Sequence, residues 1–516
     1  MFFDILLVLI TITLCFVIFY TWNYDYWRKR RIPYETPIFP FGSIKDGLLL
    51  RKPLGSIIHE LYSKYKDYKY FGIFLGRHPV LFIRDPEIFK MITVKKFNDF
   101  RDNTATTSEK SDVLGALNPF ILKGERWKIS RKHTAPAFTT IKIKQNMYPN
   151  MVYVSERLKM YITKNLDNFC NGIKIQSLAQ DFASEIFTLC GLSIKTDALF
   201  ANSKNPFKRI AHETFETETS TGKLRWILMI VDPALSLLLR TTLMPQTAGK
   251  YFRKVIKDVR LQRKLNNINA NDYLSYLDKL LIDNGDFSED DLASNIVTLF
   301  IDGVETVAST IKLTMTEIVA NPRVFKKLRE EIDTIMAKYD NKLTYETLRD
   351  MTYLDHCISE ALRMHPVLMW FMRNCTADSF QFPPYKDGVN RDVKIDKGFS
   401  VLLPVYALHH DENLHANPET FYPERFSDED TKVQSKANYF GFGDGPRICL
   451  GMKYGQLVTK IAIWDMVSNF DIVLNDKCKY PIKNVGASFV FVPEDEPLLN
   501  FYKRGEICVL YSHQNK

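Results

Sequence analysis

From Ile5 to Trp22 the chain runs for eighteen residues without a charge. In lipid an apolar stretch of this length has one regular option, a helix, because only a helix satisfies every backbone N–H and C=O inside the segment. At 1.5 Å per residue it reaches about 27 Å, close to the apolar thickness of an endoplasmic reticulum bilayer. A cleaved signal peptide would end in small residues, whereas the bulky Tyr24, Tyr26 and Trp27 follow here. Arg28, Lys29, Arg30 and Arg31 come next, and by the positive-inside rule they keep the C-terminal side in the cytosol. Residues 1–22 therefore read as a transmembrane anchor. Residues 23–45, with Pro33, Pro37, Pro40 and Gly42, read as a basic, proline-rich and stiff linker.

The rest, residues 46–516, reads as one domain, since no repeat, low-complexity tract or Gly/Ser linker divides it. Hydrophobic residues at 46% and charged residues at 25% are globular proportions and exclude disorder. The eight cysteines are scattered with no C-x-x-C pair, which argues against structural zinc and dithiol chemistry and fits reduced cytosolic thiols. A net charge of +9 fits nucleic acid, an anionic membrane or an acidic partner. The anchor favours the last two over nucleic acid.

Tyr70 to Arg84 predicts two strands around Gly76-Arg77-His78-Pro79, and Asp85-Pro86 a helix start. Helical periodicity dominates from about 150 to 375, broken at Asn205-Pro206 and Asp232-Pro233. Strand fragments return at Val393–Ile395, Ser400–Pro404 and Phe489–Val492. The expected fold is mainly α with minor β-sheets (α+β). Leu224 to Pro245 is apolar but interrupted by Arg225, Asp232, Pro233 and Arg240, so it reads as a core helix or as a surface that dips into the bilayer.

Chemistry concentrates in Phe442-Gly443-Asp444-Gly445-Pro446-Arg447-Ile448-Cys449-Leu450-Gly451. A metal-bound cysteine is deprotonated and needs inward-pointing N–H groups, which a tight turn at Gly443 and Gly445 can supply. Phe442 is placed to cover the sulfur and Arg447 to reach an acidic group at the edge of a flat cofactor, while Gly451 leaves room for a large ring. A lone cysteine is ordinarily a small buried hydrophobe; the flanking residues argue otherwise. The glycines do not make a dinucleotide loop, because Pro446 stands where that fingerprint needs glycine.

Three further patterns share the chain with this loop. The apolar helix predicted over Asp291–Ala320 is interrupted by Asp302-Gly303-Val304-Glu305-Thr306, where Thr306 can return its hydroxyl to the carbonyl of Asp302 and open a groove left free of side chain by Gly303. Glu360 and Arg363 lie one helical turn apart. Trp127 and Arg131 put an indole donor and a guanidinium on one helix face, both suited to a carboxylate.

Taken in order, these residues resemble the cytochrome P450 monooxygenases, most closely insect microsomal members: a proline-rich hinge, W-x-x-x-R, small-Gly-x-acid-Thr, E-x-x-R joined by Arg425, and F-x-x-G-x-R-x-C-x-G. The resemblance implies haem b with Cys449 as axial thiolate, and Trp127, Arg131, Arg373 and Arg447 holding its propionates beside Phe442. It implies that Thr306 and Glu305 relay protons to dioxygen, and that Glu360, Arg363 and Arg425 lock the ligand loop against the helical core. It places Phe120, Leu299, Phe300, Val367, Leu368, Ser488 and Phe489 around a lipophilic substrate. An NADPH-dependent flavoprotein reductase is the implied electron donor, with cytochrome b5 as a second, docking on Lys123, Arg126, Lys128, Arg131, Lys132 and Lys453. The implied location is the endoplasmic reticulum membrane, with the catalytic domain facing the cytosol. One residue departs from the pattern: Asp302 stands where Ala or Gly is usual, so it either turns away or meets substrate or the proton relay. A haem-thiolate isomerase or dehydratase, and a membrane-tethered haem carrier or sensor without turnover, are the alternatives; Glu305 and Thr306 argue against the first.

Overall fold

Helix α1 (Phe2–Thr21) carries apolar side chains on every face, and none of its residues is buried by protein. Such a helix is the one candidate span among the described residues. The structure, a computed structural model, describes residues 1–200, 206–207, 210, 220–244, 246–389, 392–427, 437–485 and 490–505.

The stretch expected as a stiff linker packs into the domain instead. It opens with a helical turn, α2 (Tyr26–Arg30), whose Trp27 is fully buried and donates its indole N–H to the Ile73 carbonyl at 3.0 Å. Gly72 lies flat beneath that indole, where a Cβ would meet the ring at 2.4 Å. Ile32 and Ile44 are buried, and the Glu35 N–H donates to the Gly72 carbonyl. Proline content described a non-helical path but not the apolar side chains that pin it down.

Strands β1 (Tyr70–Leu75) and β2 (His78–Ile83) form an antiparallel hairpin turned by two residues, with Gly76 at φ +58°. The turn is shorter than the four residues predicted, since His78 and Pro79 already pair with Leu75 and Phe74. Asp85 then caps the helix Pro86–Lys90, its Oδ1 accepting from the Glu87 and Ile88 N–H groups. With β3 (Asp102–Asn103), β5 (Phe371–Asn374) and β8 (Ser400–Leu403), the hairpin builds a five-stranded sheet of order β1-β2-β8-β5-β3, in which only β2 and β8 are parallel. A three-stranded sheet joins β4 (Ile173–Lys174), β10 (Leu498–Lys503) and β9 (Phe470–Leu474); β6 (Ser379–Phe382) and β7 (Val393–Asp396) form a separate pair. Part of the fragment predicted at Phe489–Val492 is described, and there Val490 bridges Leu368.

The helical body surrounds one long helix. After α3 (Gly124–Thr134), α4 (Tyr148–Lys164) and α5 (Ile175–Leu192), α6 (Ser220–Val231) ends where predicted, and Asp232 caps α7 (Pro233–Leu238) through the Leu235 N–H. The long helix is α8 (Glu289–Ala320), started by a capping box between Ser288 and Asp291 and favoured by three acidic residues in its first turn. It packs on α5 and on α9 (Thr352–Met364), while the terminal helix α10 (Met452–Asn469) follows the cysteine loop and packs on α4 and α8. The chain is thus mainly helical with small sheets, as expected. Asn205, of the predicted Asn205-Pro206 break, lies outside the described residues.

Candidate active site

A cavity of about 830 Å³ lies between α8 and the 440–451 loop. It brings together Trp127, Arg131, Asp302, Glu305, Thr306, Arg373, Phe442, Arg447 and Cys449, the nine residues that the sequence reading sets around the haem and the oxygen site.

On the loop side, Gly443 and Gly445 take φ of +78° and +69°, the left-handed turn that L side chains rarely adopt. Gly445 also passes so near Thr93 that a Cβ would sit 1.9 Å from its carbonyl oxygen. The Cys449 side chain opens onto the cavity. Enclosure by protein pushes its thiol pKa up, while the Gly451 N–H and Arg131 pull it down. The backbone N–H acting on the sulfur is that of Gly451. The turn works at one remove: it doubles the chain back so that the Cys449 N–H reaches the Phe442 carbonyl at 2.9 Å. Space beside Gly451 is open, with no atom within 4 Å of where a Cβ would stand.

Three buried or half-buried guanidinium groups face the same cavity with too few anions. Arg373, in register with Asn103 across β3 and β5, donates to the Asn103 side chain, yet its Nε has no partner. Arg447 donates to the carbonyls of Pro119 and Leu122 and leaves its Nε unpartnered. Burial, then repulsion from Arg373, drives the Arg447 pKa down to about 9; burial lowers that of Arg373 to about 10. Among the described residues the carboxylate that reaches them is Asp102, 3.7 Å from Arg447 and shared with Arg101. Arg131 donates to the Ile448 carbonyl at 2.8 Å, tying α3 to the cysteine loop. Trp127 lies under Arg447, its ring centroid 4.3 Å from the guanidinium carbon. Uncompensated buried cations of this kind suit two carboxylates of a guest. Among the described residues no group of three or more His, Cys, Asp or Glu could hold a bare metal ion. Cys449 therefore suits a metal whose other ligands come from a ring, and the site fits haem.

The opposite wall is α8. Thr306 donates its hydroxyl to the Asp302 carbonyl at 2.5 Å, the bond expected, but α8 stays helical through this point. Gly303 lines the cavity and also meets α5. A Cβ there would meet the Phe187 ring at 2.1 Å, so the glycine lets α5 approach α8. The Glu305 carboxylate turns toward α5, accepting from Gln176 at 3.0 Å and Gln180 at 2.6 Å. Asp302 faces the cavity, and burial raises its pKa to about 6 despite a hydrogen bond from Asn118. Of the predicted substrate wall, Phe120, Leu299, Val367 and Leu368 line the cavity. Phe300 is core, stacked 5.0 Å from Phe207 and packed against Phe252. Ser488 and Phe489 lie outside the described residues.

Behind the loop, Glu360 and Arg363 are wholly buried and paired at 2.8 and 2.9 Å, with Arg425 joining at 3.3 Å. Sequence reasoning missed His409, which carries this cluster to the loop: Arg363 donates to its carbonyl, and its ring Nε2 accepts the Phe440 N–H. Nothing in the spacing of His409 marks it; its one signal is a histidine among apolar neighbours just after a strand.

The Cytochrome P450 family model matches residues 32–499. The chain is 30% identical to cytochrome P450 6a2 of Drosophila melanogaster over 502 residues, covering 95% of this chain and 97% of that protein. It is 32% identical to cytochrome P450 9e2 of Blattella germanica over 507 residues, covering 91% and 92%. To cytochrome P450 6d3 of Musca domestica it is 30% identical over 495 residues, covering 91% and 93%.

Proposed function

The chain belongs to the cytochrome P450 family, whose members are haem-thiolate monooxygenases using haem b, and on that premise we propose that it inserts one oxygen atom from dioxygen into a lipophilic substrate at the endoplasmic reticulum membrane. In this reading NADPH electrons arrive through a flavoprotein reductase, with cytochrome b5 as an auxiliary donor. The observation that carries the proposal is the pairing, across one cavity, of an open cysteine sulfur with two arginines whose buried Nε atoms lack partners.

Cys449 would hold the iron; burial alone disfavours its thiolate, and the Gly451 N–H and the charge of Arg131 act against that burial. Arg131, Arg373 and Arg447 receive the propionates, with Trp127 bracing Arg447. Phe442 lines the cysteine side. When bound, the haem supplies oxygen activation, and thiolate ligation favours O–O cleavage. The protein supplies orientation, shielding from water and protons. Thr306, anchored on its own helix, presents its hydroxyl oxygen to the cavity as a proton carrier. Glu305, held by Gln176 and Gln180, stands one residue away to resupply it.

Lys132 and Lys453 are exposed on the cysteine side and offer a landing surface to an acidic flavoprotein. Of the other predicted docking cations, Arg126 and Lys128 pair with Glu109 and Glu125, and Lys123 and Arg131 are half-buried. The region from Leu224 to Pro245 divides: Trp226, Ile227 and Met229 are core, whereas Leu237, Leu238 and Leu239 are exposed. His78 reaches Asp232 at 3.3 Å, and neighbouring Arg77 covers Phe19 of α1, so these leucines lie on the anchor side and support a surface dipping into the bilayer.

The test is a carbon monoxide difference spectrum of the full-length protein, then oxygen uptake with NADPH and reductase. A thiolate-type ferrous carbonyl band with substrate-dependent uptake is expected. The band without uptake would leave an isomerase, dehydratase or carrier.

A further inference from the structure

Asp302 lines the cavity with a single fixed donor to its carboxylate among the described residues. Its Oδ2 accepts from Asn118 Nδ2 at 3.2 Å, and no other hydrogen bond to the carboxylate is formed among the described residues. The amide orientation of Asn118 is set by its neighbours: its oxygen takes the Phe120 N–H at 2.7 Å, which leaves its two N–H hydrogens for Asp302 and for Thr298 Oγ1 at 3.1 Å. Asp302 is thus held in place by a neutral amide, with Oδ1 left to the cavity. No Lys, Arg or His pairs with it among the described residues. The cationic cluster of Arg131, Arg373 and Arg447 serves the cysteine side, where the propionates belong. The same cavity wall carries the apolar side chains of Phe120, Leu299 and Trp226. A carboxylate oriented but uncompensated in an apolar wall is a mould for a cation, since any neutral guest leaves the buried charge unpaired.

We propose that Asp302 is the charge anchor for the substrate, so that the cavity takes lipophilic amines as their ammonium ions, the apolar body lying along Phe120 and Leu299. This rests on the monooxygenase reading of the cavity. The role fits a carboxyl that burial makes costly to ionise when the cavity lacks a cation.

The test uses the full-length holoenzyme and two probes, (4-phenylbutyl)trimethylammonium and its uncharged tert-butyl isostere. Both have the same shape, and neither has a nitrogen lone pair to bind iron. Equilibrium dialysis of the wild type is expected to show the cation bound about tenfold or more tighter than the isostere. Asp302→Asn should lose that preference while binding the isostere at least as tightly as the wild type does, and Asp302→Glu should keep part of it. Equal affinities in the wild type overturn the proposal whether or not any variant folds, as does a preference that survives in Asp302→Asn. The carbon monoxide band of each preparation is read separately: a wild-type preparation with the band and no charge preference overturns this inference and leaves the monooxygenase reading standing.

Discussion

His409 accepts the Phe440 N–H on its Nε2 at 2.8 Å, while its Nδ1 lies 3.1 Å from the Arg363 carbonyl. The ring is therefore a neutral tautomer with its proton on Nδ1, wedged between the buried ion cluster and the first residues of the cysteine loop. His409→Ala would leave a buried donor and a buried acceptor unpaired, a cost of about 2–4 kcal/mol. Denaturant unfolding should show that loss, and the variant should release haem faster than the wild type.

Acid should destabilise the protein below the ordinary histidine range. Burial holds His409 and His410 well below their usual value and His415 down to about 3. In the unfolded chain all three take protons as pH falls through about 6.5, whereas the folded state refuses them, so stability is full above that pH and is lost as pH falls. Asp302 acts oppositely, because its raised pKa makes the folded state the better proton binder between about 4 and about 6. The contribution of the three histidines is measurable as a pH series of urea midpoints, falling with acid below about 6.5, and Asp302→Asn should steepen that fall.

Arg363→Ala should be among the most damaging single changes. Glu360 would keep its charge at a wholly buried position with only Arg425 and the Tyr422 N–H near it. The expected cost is about 3–5 kcal/mol. Urea midpoints within error of the wild type would contradict a structural role for the cluster.

Gly303→Ala separates packing from propensity. Mid-helix alanine gains about 1 kcal/mol over glycine, but the new methyl would collide with Phe187, and overpacking costs about 1–3 kcal/mol. Net destabilisation is expected, largely relieved in Gly303→Ala/Phe187→Leu. A double-mutant cycle without coupling would refute the contact.

What the sequence made legible was chemistry at short range. The cysteine loop, the Trp127–Arg131 pair and the Glu360–Arg363 turn each carry their meaning in local spacing, and Asp302 announced itself as a carboxylate in an apolar helix. What stayed hidden depends on the far partner. Gly303 shows no partner until Phe187 of α5 packs against it, and Trp27 looks like part of a linker until it lands on Gly72. His409 shows no pattern because its two partners, Arg363 and Phe440, are brought to it by folding. Phe300 and Leu299 are neighbours in sequence and both reach toward Gly191 of α5, yet one ends in the core and the other at the cavity, so position alone did not tell core from cavity.

The central claim is that Cys449 is the iron ligand, with Arg373 and Arg447 holding the propionates. The most direct measurement is the ferrous carbon monoxide difference spectrum of Cys449→Ala beside the wild type, each with its haem content determined. The account predicts that the wild type gives the thiolate-type band and that Cys449→Ala lacks it. A Cys449→Ala protein that kept the band would contradict the assignment.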